Sequence, residues 1–527
     1  MNFYEENWLR LQAARAYKMR WLALYTNLYN YVLPDRSGFN VFFNYRDDGI
    51  PLTNQIWDST AVMAAVQRAN DLHGLLIPQD RRWGRLVFDK HYMKEEMINS
   101  EGAKQFVEDI NERIMFYINQ SNLSRAIGSS NLDLVGGTAA IWVESKSDYE
   151  PLCFTPISAV SLMIEYTSED SVKNAWYCTK ISGRTVLKDF PEYRGACRQA
   201  LEAQPEELYM VYYGQLCLGE MEYYQYAILE DDPYHPLFEH TKPYQQLIVY
   251  RDKVRPGEAE GRGPGIDLLP QINDLNRTAE NRIKSLDLKA RPALFYDSNA
   301  FINPNNIKTW AGAMIARTPN SGRNPVEALQ VPDYVSVLKD IQDLRDQIRI
   351  GFQVDPLGEI ESPVRSATEV AARENRAQRT SKTDMSRIIN ECPAKIYQVS
   401  AMILNERNLL VSNRKNVPNF HPKMMAFKYQ SPLFDLQNQE DIQRLAQDLQ
   451  FKQQFFGEGT ALMTVNLDKV NEFLTDKLNL PPELFKTKEE LNEFLAAMHQ
   501  QAANAALPQP ATSAAPVQLP QAEGVMF

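Results

Sequence analysis

Between about residue 266 and residue 290, the apolar residues Leu268, Ile272, Leu275, Ala279, Ile283, Leu286 and Ala290 recur at intervals of three and four. That spacing puts them on one face of an α-helix. The positions between them are mostly polar, among them Asn273, Asp274, Arg277, Glu280, Arg282, Lys284 and Asp287. About 25 residues rising roughly 1.5 Å each make a rod of about 37 Å. So narrow a stripe buries one side of the rod against its own chain and leaves the rest to solvent or to identical neighbours. The pattern points to a structural, self-assembling subunit.

A second helix of this kind is predicted over 334–352, with Val335, Leu338, Ile341, Leu344, Ile348 and Phe352 roughly on one face. The stretch between the two, 291–333, reads as irregular because Pro292, Pro304, Pro319, Gly322, Pro325 and Pro332 interrupt it. Residues 353–364 read as a loop. Ser366 and Glu369 then form a capping box, in which each side chain takes an amide of the other's residue. The helix they open is expected to run to about 411. Pro393 lies inside it, lacks an amide donor and crowds the carbonyl of Ile389, so a kink is predicted there.

The N-terminal part opens with a helix whose stripe is Ala14, Tyr17, Trp21, Leu24, Leu28 and Tyr31, stopped by Pro34. A second runs from a cap at Asp58 or Ser59 to Pro78. A third covers about 103–120, with Phe106, Ile110, Ile114 and Tyr117 on one face. Tyr-rich, β-branched runs between about 139 and 252 predict a small antiparallel sheet. A short strand at Met425–Tyr429 precedes a helix from about 435, marked by Ile442, Leu445 and Leu449. A second capping box, at Thr487 and Glu490, precedes Leu491, Phe494 and Leu495. The last residues, 501–527, are rich in Ala, Pro and Gln and are expected to be disordered. The fold class is α+β, mainly helical.

The formal net charge of −11 argues against broad attraction to phosphate backbones. It leaves room for a nucleic acid that must slide past without sticking. The 5 cysteines are far apart and form no CxxC pair, so free thiols in a reducing compartment are expected. The N-terminus lacks the basic and apolar regions of a signal peptide. The most apolar stretch, around 152–164, is broken by Pro156 and too short to span a bilayer. A soluble, cytosolic-type protein with no membrane partner is the expectation.

Catalytic chemistry finds little support. The cluster from Gly261 to Gly265 lacks the Lys and Ser/Thr of a phosphate-binding loop, and Pro264 removes an amide, so it reads as a turn into a helix. His235 and His240, with Asp231, Asp232 and Glu239 nearby, lack metal-ligand spacing and read as a surface loop. Asp340, Asp343, Asp346 and Asp355 could serve a metal-dependent nuclease. However, Lys339, Arg345 and Arg349 interleave with the first three at distances where helical charges pair. Basic residues cluster at Arg282, Lys284, Lys289 and Arg291, and again at Arg365, Arg373, Arg376 and Arg379. Both clusters suit a solvated or inter-subunit face, with DNA contact as the alternative. No cofactor, metal or catalytic residue is assigned.

The order of these pieces resembles the portal, or head-to-tail connector, family of short-tailed bacteriophages (podoviruses). Three passages carry the resemblance. The first runs from Asp58, Ser59, Thr60 and Ala61 through Ala69 and Leu72 to Leu75, Leu76, Ile77 and Pro78, then Trp83 and Leu86. The second is Gly261, Arg262, Gly263 and Pro264, followed by Leu269, Pro270, Leu275 and Asn276. Similar sequences carry a Tyr before this Gly-Arg-Gly, where this chain has Glu260. The third is Ser366, Ala367, Thr368, Glu369 and Val370 with Arg373.

The resemblance implies a ring of about twelve copies at one capsid vertex. Double-stranded DNA would enter through its channel during packaging and leave through it during ejection. It assigns 1–260 to a wing, 261–290 and 334–352 to two stem helices, and 291–333 to a clip that docks terminase and then tail adaptor or nozzle proteins. Residues 353–364 become a tunnel loop, with Gln353, Asp355, Leu357, Gly358, Glu359 and Glu361 facing the channel. Residues 365–433 hold the kinked helix and the return to the wing, 434–500 a helical crown and 501–527 the tail. Arg282, Lys284, Lys289 and Arg291 become candidate channel or DNA-backbone contacts. Major capsid and scaffold proteins are the remaining implied partners, and the implied location is the virion, after assembly in the host cytoplasm. A different virion adaptor or minor capsid protein is the alternative, and a metal-dependent nuclease is the least supported one.

Overall fold

The computed structural model describes residues 2–36, 56–79, 81–89, 101–147, 149–166, 171–219, 221–290, 294–297, 314–317, 326–328, 335–354, 385–410, 425–430, 432–456, 470 and 473–474. The chain divides into two units, Met1–Phe434 and Asp435–Phe527. Most of the second unit's described residues belong to the helix Pro432–Phe456, where Lys452 pairs with Asp448 at 2.6 Å one turn away.

The first unit begins with helix α1 (Phe3–Tyr31), followed by α2 (Thr60–Leu76), α3 (Glu101–Gln120) and α4 (Leu123–Leu134). The stripe of α1 differs from the expected one. Its buried residues are Asn7, Leu11, Ala14, Lys18, Trp21, Tyr25, Leu28 and Tyr29. Tyr17, Leu24 and Tyr31 are only half-buried at its margin. The helical face turned inward thus runs through a lysine, and partners for that charge decide the packing.

Two antiparallel sheets follow, made of the Tyr-rich segments. One has the order β3 (Cys153–Ile157), β2 (Thr138–Glu144), β9 (Leu247–Arg251). The other has the order β4 (Leu162–Ile164), β5 (Ala175–Ser182), β6 (Leu208–Gly219), β7 (Glu222–Leu229), β8 (Phe238–Lys242). Tyr177 of β5 faces Tyr213 of β6 in register, and the rings stack with centroids 4.8 Å apart. Such cross-strand aromatic pairs stabilise a sheet by up to about 1 kcal/mol. Trp176 donates its indole N–H to the Tyr226 hydroxyl at 2.8 Å, which satisfies the one polar atom of a buried ring.

Two glycine segments cross at the junction of helices and sheets. Gly261 and Arg262 pair with Lys253 and Val254 in a two-residue ladder. Gly263 then caps a short turn, α5 (Pro264–Asp267), with Pro264 in its first position. A Cβ on Gly137 would fall on the backbone of Arg262 and Gly263, and one on Gly263 would fall on Val135. Only glycine permits this backbone approach.

The first rod is helix α6 (Leu269–Ala290), offset from α5 at Leu268, and the second is α7 (Val335–Gly351). Between them, residues expected to be irregular include three short strands, Leu294–Asp297, Met314–Arg317 and Val326–Ala328. The first pairs parallel with the second and antiparallel with the third. Prolines punctuate the connections and fall outside these strands, which explains why the ladder was missed.

Residues 385–391 are helical, and Cys392 leaves the helical region with φ −111° and ψ −80°. Pro393 occupies the first turn of a separate helix, α8 (Pro393–Glu406). There its missing N–H costs nothing, because no carbonyl precedes it within that helix. Expected to run to about 411, α8 instead ends at Glu406. The Asn408 N–H bonds Asn405 O, the Leu409 N–H bonds Leu404 O, and Asn408 has a φ of 58°. This is a Schellman stop, with asparagine in the left-handed position that glycine usually takes. The strand Met425–Tyr429 then pairs antiparallel with β1 (Gly84–Phe88), closing the core around α3 and α8.

Candidate functional site

The root of the first rod is folded into the unit. Leu269, Ile272 and Leu275 are buried with Tyr25 and Leu28 of α1, Ala61 and Ala65 of α2, Ile341 and Ile348 of α7 and Phe352 just beyond it, and Ala279 is buried as well. Each fully buried Leu or Ile contributes about 1.5–3 kcal/mol. Beyond Ala279 the stripe continues into solvent, with Ile283 45% and Leu286 52% exposed. On α7, Leu338 is 48% exposed, while Ile341 three residues on is buried. One periodic pattern thus serves two environments.

Residues just before α2 bridge the rods. The Trp57 N–H donates to Asn276 Oδ1 at 2.7 Å, and Arg345 donates from Nε (3.0 Å) and Nη2 (2.8 Å) to Asp58 Oδ2. Leu268 packs against Gly351, so the start of α6 meets the end of α7 and the two run antiparallel. Burial alone would raise the Asp58 carboxyl, but hydrogen bonds from Thr60 and Arg345 outweigh it and hold the group below its ordinary range. Asp58, the first residue of the first resembling passage, takes the Thr60 N–H at 2.9 Å, and Ser59 makes no side-chain cap bond.

At the other end of α7, Gln353 has a φ of 59°. Its N–H bonds Ile350 O at 2.9 Å and the Val354 N–H bonds Arg349 O at 3.1 Å, another Schellman stop. The buried Arg68 of α2 reaches this turn. Its Nη1 donates to Phe352 O at 3.1 Å and to Gln353 Oε1 at 2.9 Å, while its Nη2 meets Asp252 Oδ2 at 3.2 Å. Asp355, Leu357, Gly358, Glu359 and Glu361 lie outside the described residues, as do Arg291, Ser366, Glu369, Arg365, Arg373, Arg376 and Arg379.

The other basic candidates sit on the distal part of α6. Arg282 is half-buried, and Lys284 and Lys289 are exposed. Lys284 pairs with Glu280 at 2.6 Å, so part of its charge is answered within the helix. On α7, Arg349 lies 3.6 Å from Asp346 and Arg345 is taken by Asp58, so the interleaved charges pair locally and across to the residues just before α2. His235 Nδ1 lies 2.7 Å from Asp232 Oδ1, and Asp232 Oδ2 accepts from the Tyr193 hydroxyl at 2.6 Å and the Ala196 N–H at 2.8 Å. These bonds hold the loop around Asp232 together. Among the described residues, no group of three His, Cys, Asp or Glu could hold a metal ion, and no helix is long and apolar enough to cross a membrane.

The charged contacts that organise the unit were missed in the sequence. Lys18 reaches Glu260, Arg36 lies 2.9 Å from Asp133 Oδ2, and Arg68 joins Asp252 to the end of α7. One signal was present. Leu11, Ala14, Lys18, Trp21, Tyr25 and Leu28 keep helical spacing, and a lysine inside such a stripe calls for a buried anion.

The described residues thus show two rods rooted in a folded body, with an apolar edge left uncovered. The chain belongs to the family of bacteriophage head to tail connecting proteins, whose family model matches residues 5–485. Members of that family are structural components of the connection between head and tail. Among solved structures, the chain is similar to one from the neck of an empty gene transfer agent particle computed with C6 symmetry. The identity is 9%, the TM-score 0.37, and the match covers 74% of this chain and 86% of that one. It is also similar to a chain of the native gene transfer agent virion, at 8% identity and TM-score 0.38, with coverage of 74% and 86%. No curated protein matches.

Proposed function

We propose that this connector forms a closed ring around a channel at a single capsid vertex, through which double-stranded DNA is packaged and later ejected. The observation that carries the reading is the apolar stripe of α6, which runs out of its own core at Ala279 and continues through Ile283 and Leu286 in solvent. In a ring every subunit repeats the same heterologous contact, so a lateral face of this kind is covered by the next copy. In this reading α6 and α7 are the stem, 291–333 the clip that meets terminase and tail proteins, and 353–364 the tunnel loop. Arg282, Lys284 and Lys289 then contact only the DNA backbone, because packaging is independent of sequence. The acidic net charge of −11 keeps the passing duplex from being held.

The test is electron microscopy of the purified protein beside an Ile283→Asp, Leu286→Asp double variant. The parent gives rings with a central hole and the variant gives single subunits. The variant's melting temperature stays within about 2 °C of the parent's, because exposed positions carry little of the subunit's stability. A parent that remains monomeric under assembly-favouring conditions overturns the ring. A variant that still forms rings overturns the role given to the stripe.

A further inference from the structure

We infer that Arg251 and Asp252, neighbours at the end of β9, act as a two-ended anchor. Together they tie the end of α7 and the end of the helical residues 385–391 to one point of the body.

The outgoing flank is held through Arg68. Asp252 Oδ2 takes Arg68 Nη2 at 3.2 Å, and Arg68 Nη1 grips the carbonyl of Phe352 and the side chain of Gln353 at 3.1 and 2.9 Å. Those are the residues of the Schellman stop, so the arginine fixes the direction in which the chain leaves α7. The returning flank is held directly. Glu391 accepts from the Arg251 backbone N–H at 2.8 Å and from Arg251 Nη2 at 2.6 Å. It is the last helical residue before the break at Cys392.

The anchor point is itself immobilised. The Asp252 N–H donates to Gly137 O at 2.8 Å, and Arg251 Nη1 donates to Ala259 O at 3.1 Å. Both acceptors belong to segments that meet at the glycine crossing. Arg68, Asp252, Arg251 and Glu391 are all buried, so these charge-assisted bonds act in a low-dielectric setting and resist screening by salt. Fixing two points of a chain to one place carries a loop-closure cost, and two neighbouring residues supply the bonds that offset it. Arg68 and Glu391 are therefore positioning residues for the chain between them. The anchor stands whether or not 353–364 lines a channel; its relevance to DNA rests on that reading.

The test is amide hydrogen exchange on the full-length protein, read by mass spectrometry, for Gln353→Gly, Arg68→Met and Glu391→Gln. Gln353→Gly keeps the left-handed backbone and removes only the side-chain acceptor, so it should fold as the parent does. It should raise exchange at 352–354 roughly tenfold and leave 388–396 unchanged, since a tenfold change is what one such bond confers. Arg68→Met and Glu391→Gln should each raise exchange at both flanks. An effect of Arg68→Met confined to 352–354, with Glu391→Gln confined to 388–396, would show two independent contacts and overturn the anchor. So would a Gln353→Gly variant with unaltered exchange at 352–354. Ring counts by electron microscopy on the same samples separate this outcome from failure of the assembly reading.

Discussion

Lys18 Nζ lies 2.6 Å from Glu260 Oε1, and both side chains are 0% exposed. The Tyr25 hydroxyl donates to the other carboxylate oxygen at 3.0 Å, and the ammonium stands 4.3 Å from the Tyr25 ring centroid. The three groups join α1 to the residue that precedes the glycine crossing. A buried pair of this kind adds little net stability over an apolar replacement, yet breaking it leaves an unanswered charge.

Removing one member should therefore be worse than removing both. Lys18→Met or Glu260→Gln alone is expected to destabilise the subunit by about 3–5 kcal/mol, and Lys18→Met with Glu260→Leu to recover most of that loss. Urea denaturation of the three variants and the parent measures the coupling. Additive losses would mean that the two side chains act separately.

Gly137 and Gly257 both have positive φ, 108° and 88°, but their surroundings differ. A Cβ at 137 collides with the backbone of residues 262 and 263, whereas a Cβ at 257 meets open space. Gly257→Ala is expected to cost about 1 kcal/mol from backbone strain. Gly137→Ala should cost roughly 3–5 kcal/mol, because overpacking is added to strain. Thermal and chemical melts of the two variants decide it, and similar losses would remove the crossing as the cause.

Asp133 gives the first unit a pH dependence. Burial lifts its carboxyl to about 6, against the opposing pull of Arg36 and the hydrogen bond from Tyr29. The folded state keeps this proton at a pH where the unfolded chain has lost it. Asp133's contribution to stability is therefore full below the ordinary carboxylate range and is lost as pH rises toward 6. The slope is roughly 1.4 kcal/mol per pH unit across that window, with no further change above it. Asp133→Asn should lack this component. The difference in unfolding free energy between variant and parent, measured from pH 4 to 7, should grow in the variant's favour and level off above 6. A constant difference would show that Asp133 does not titrate there.

Helices whose apolar residues sit three and four apart were legible in the sequence, because the same spacing that forms the stripe buries it. The Tyr-rich strands were legible through their β-branched and aromatic runs. Two things hid the rest. Tertiary charge pairs join residues far apart in the chain, such as Lys18 and Glu260, and periodicity carries no information about such partners. Glu260 finds its partner, Lys18, on another element 242 residues away. The helix stop at Asn408 was also hidden, because a left-handed residue other than glycine leaves little compositional trace, whereas α7 ends where the loop from 353 was expected. At the candidate site, the stripe of α6 could be read but not its division at Ala279, since burial depends on where the folded body ends.

That division has a kinetic consequence. Covering Leu269, Ile272 and Leu275 is a first-order event, completed within one molecule at any dilution. In the proposed ring, covering Ile283 and Leu286 requires a second molecule and so follows mass action. The two halves of one helix therefore answer to different variables: temperature and denaturant for the root, concentration for the tip.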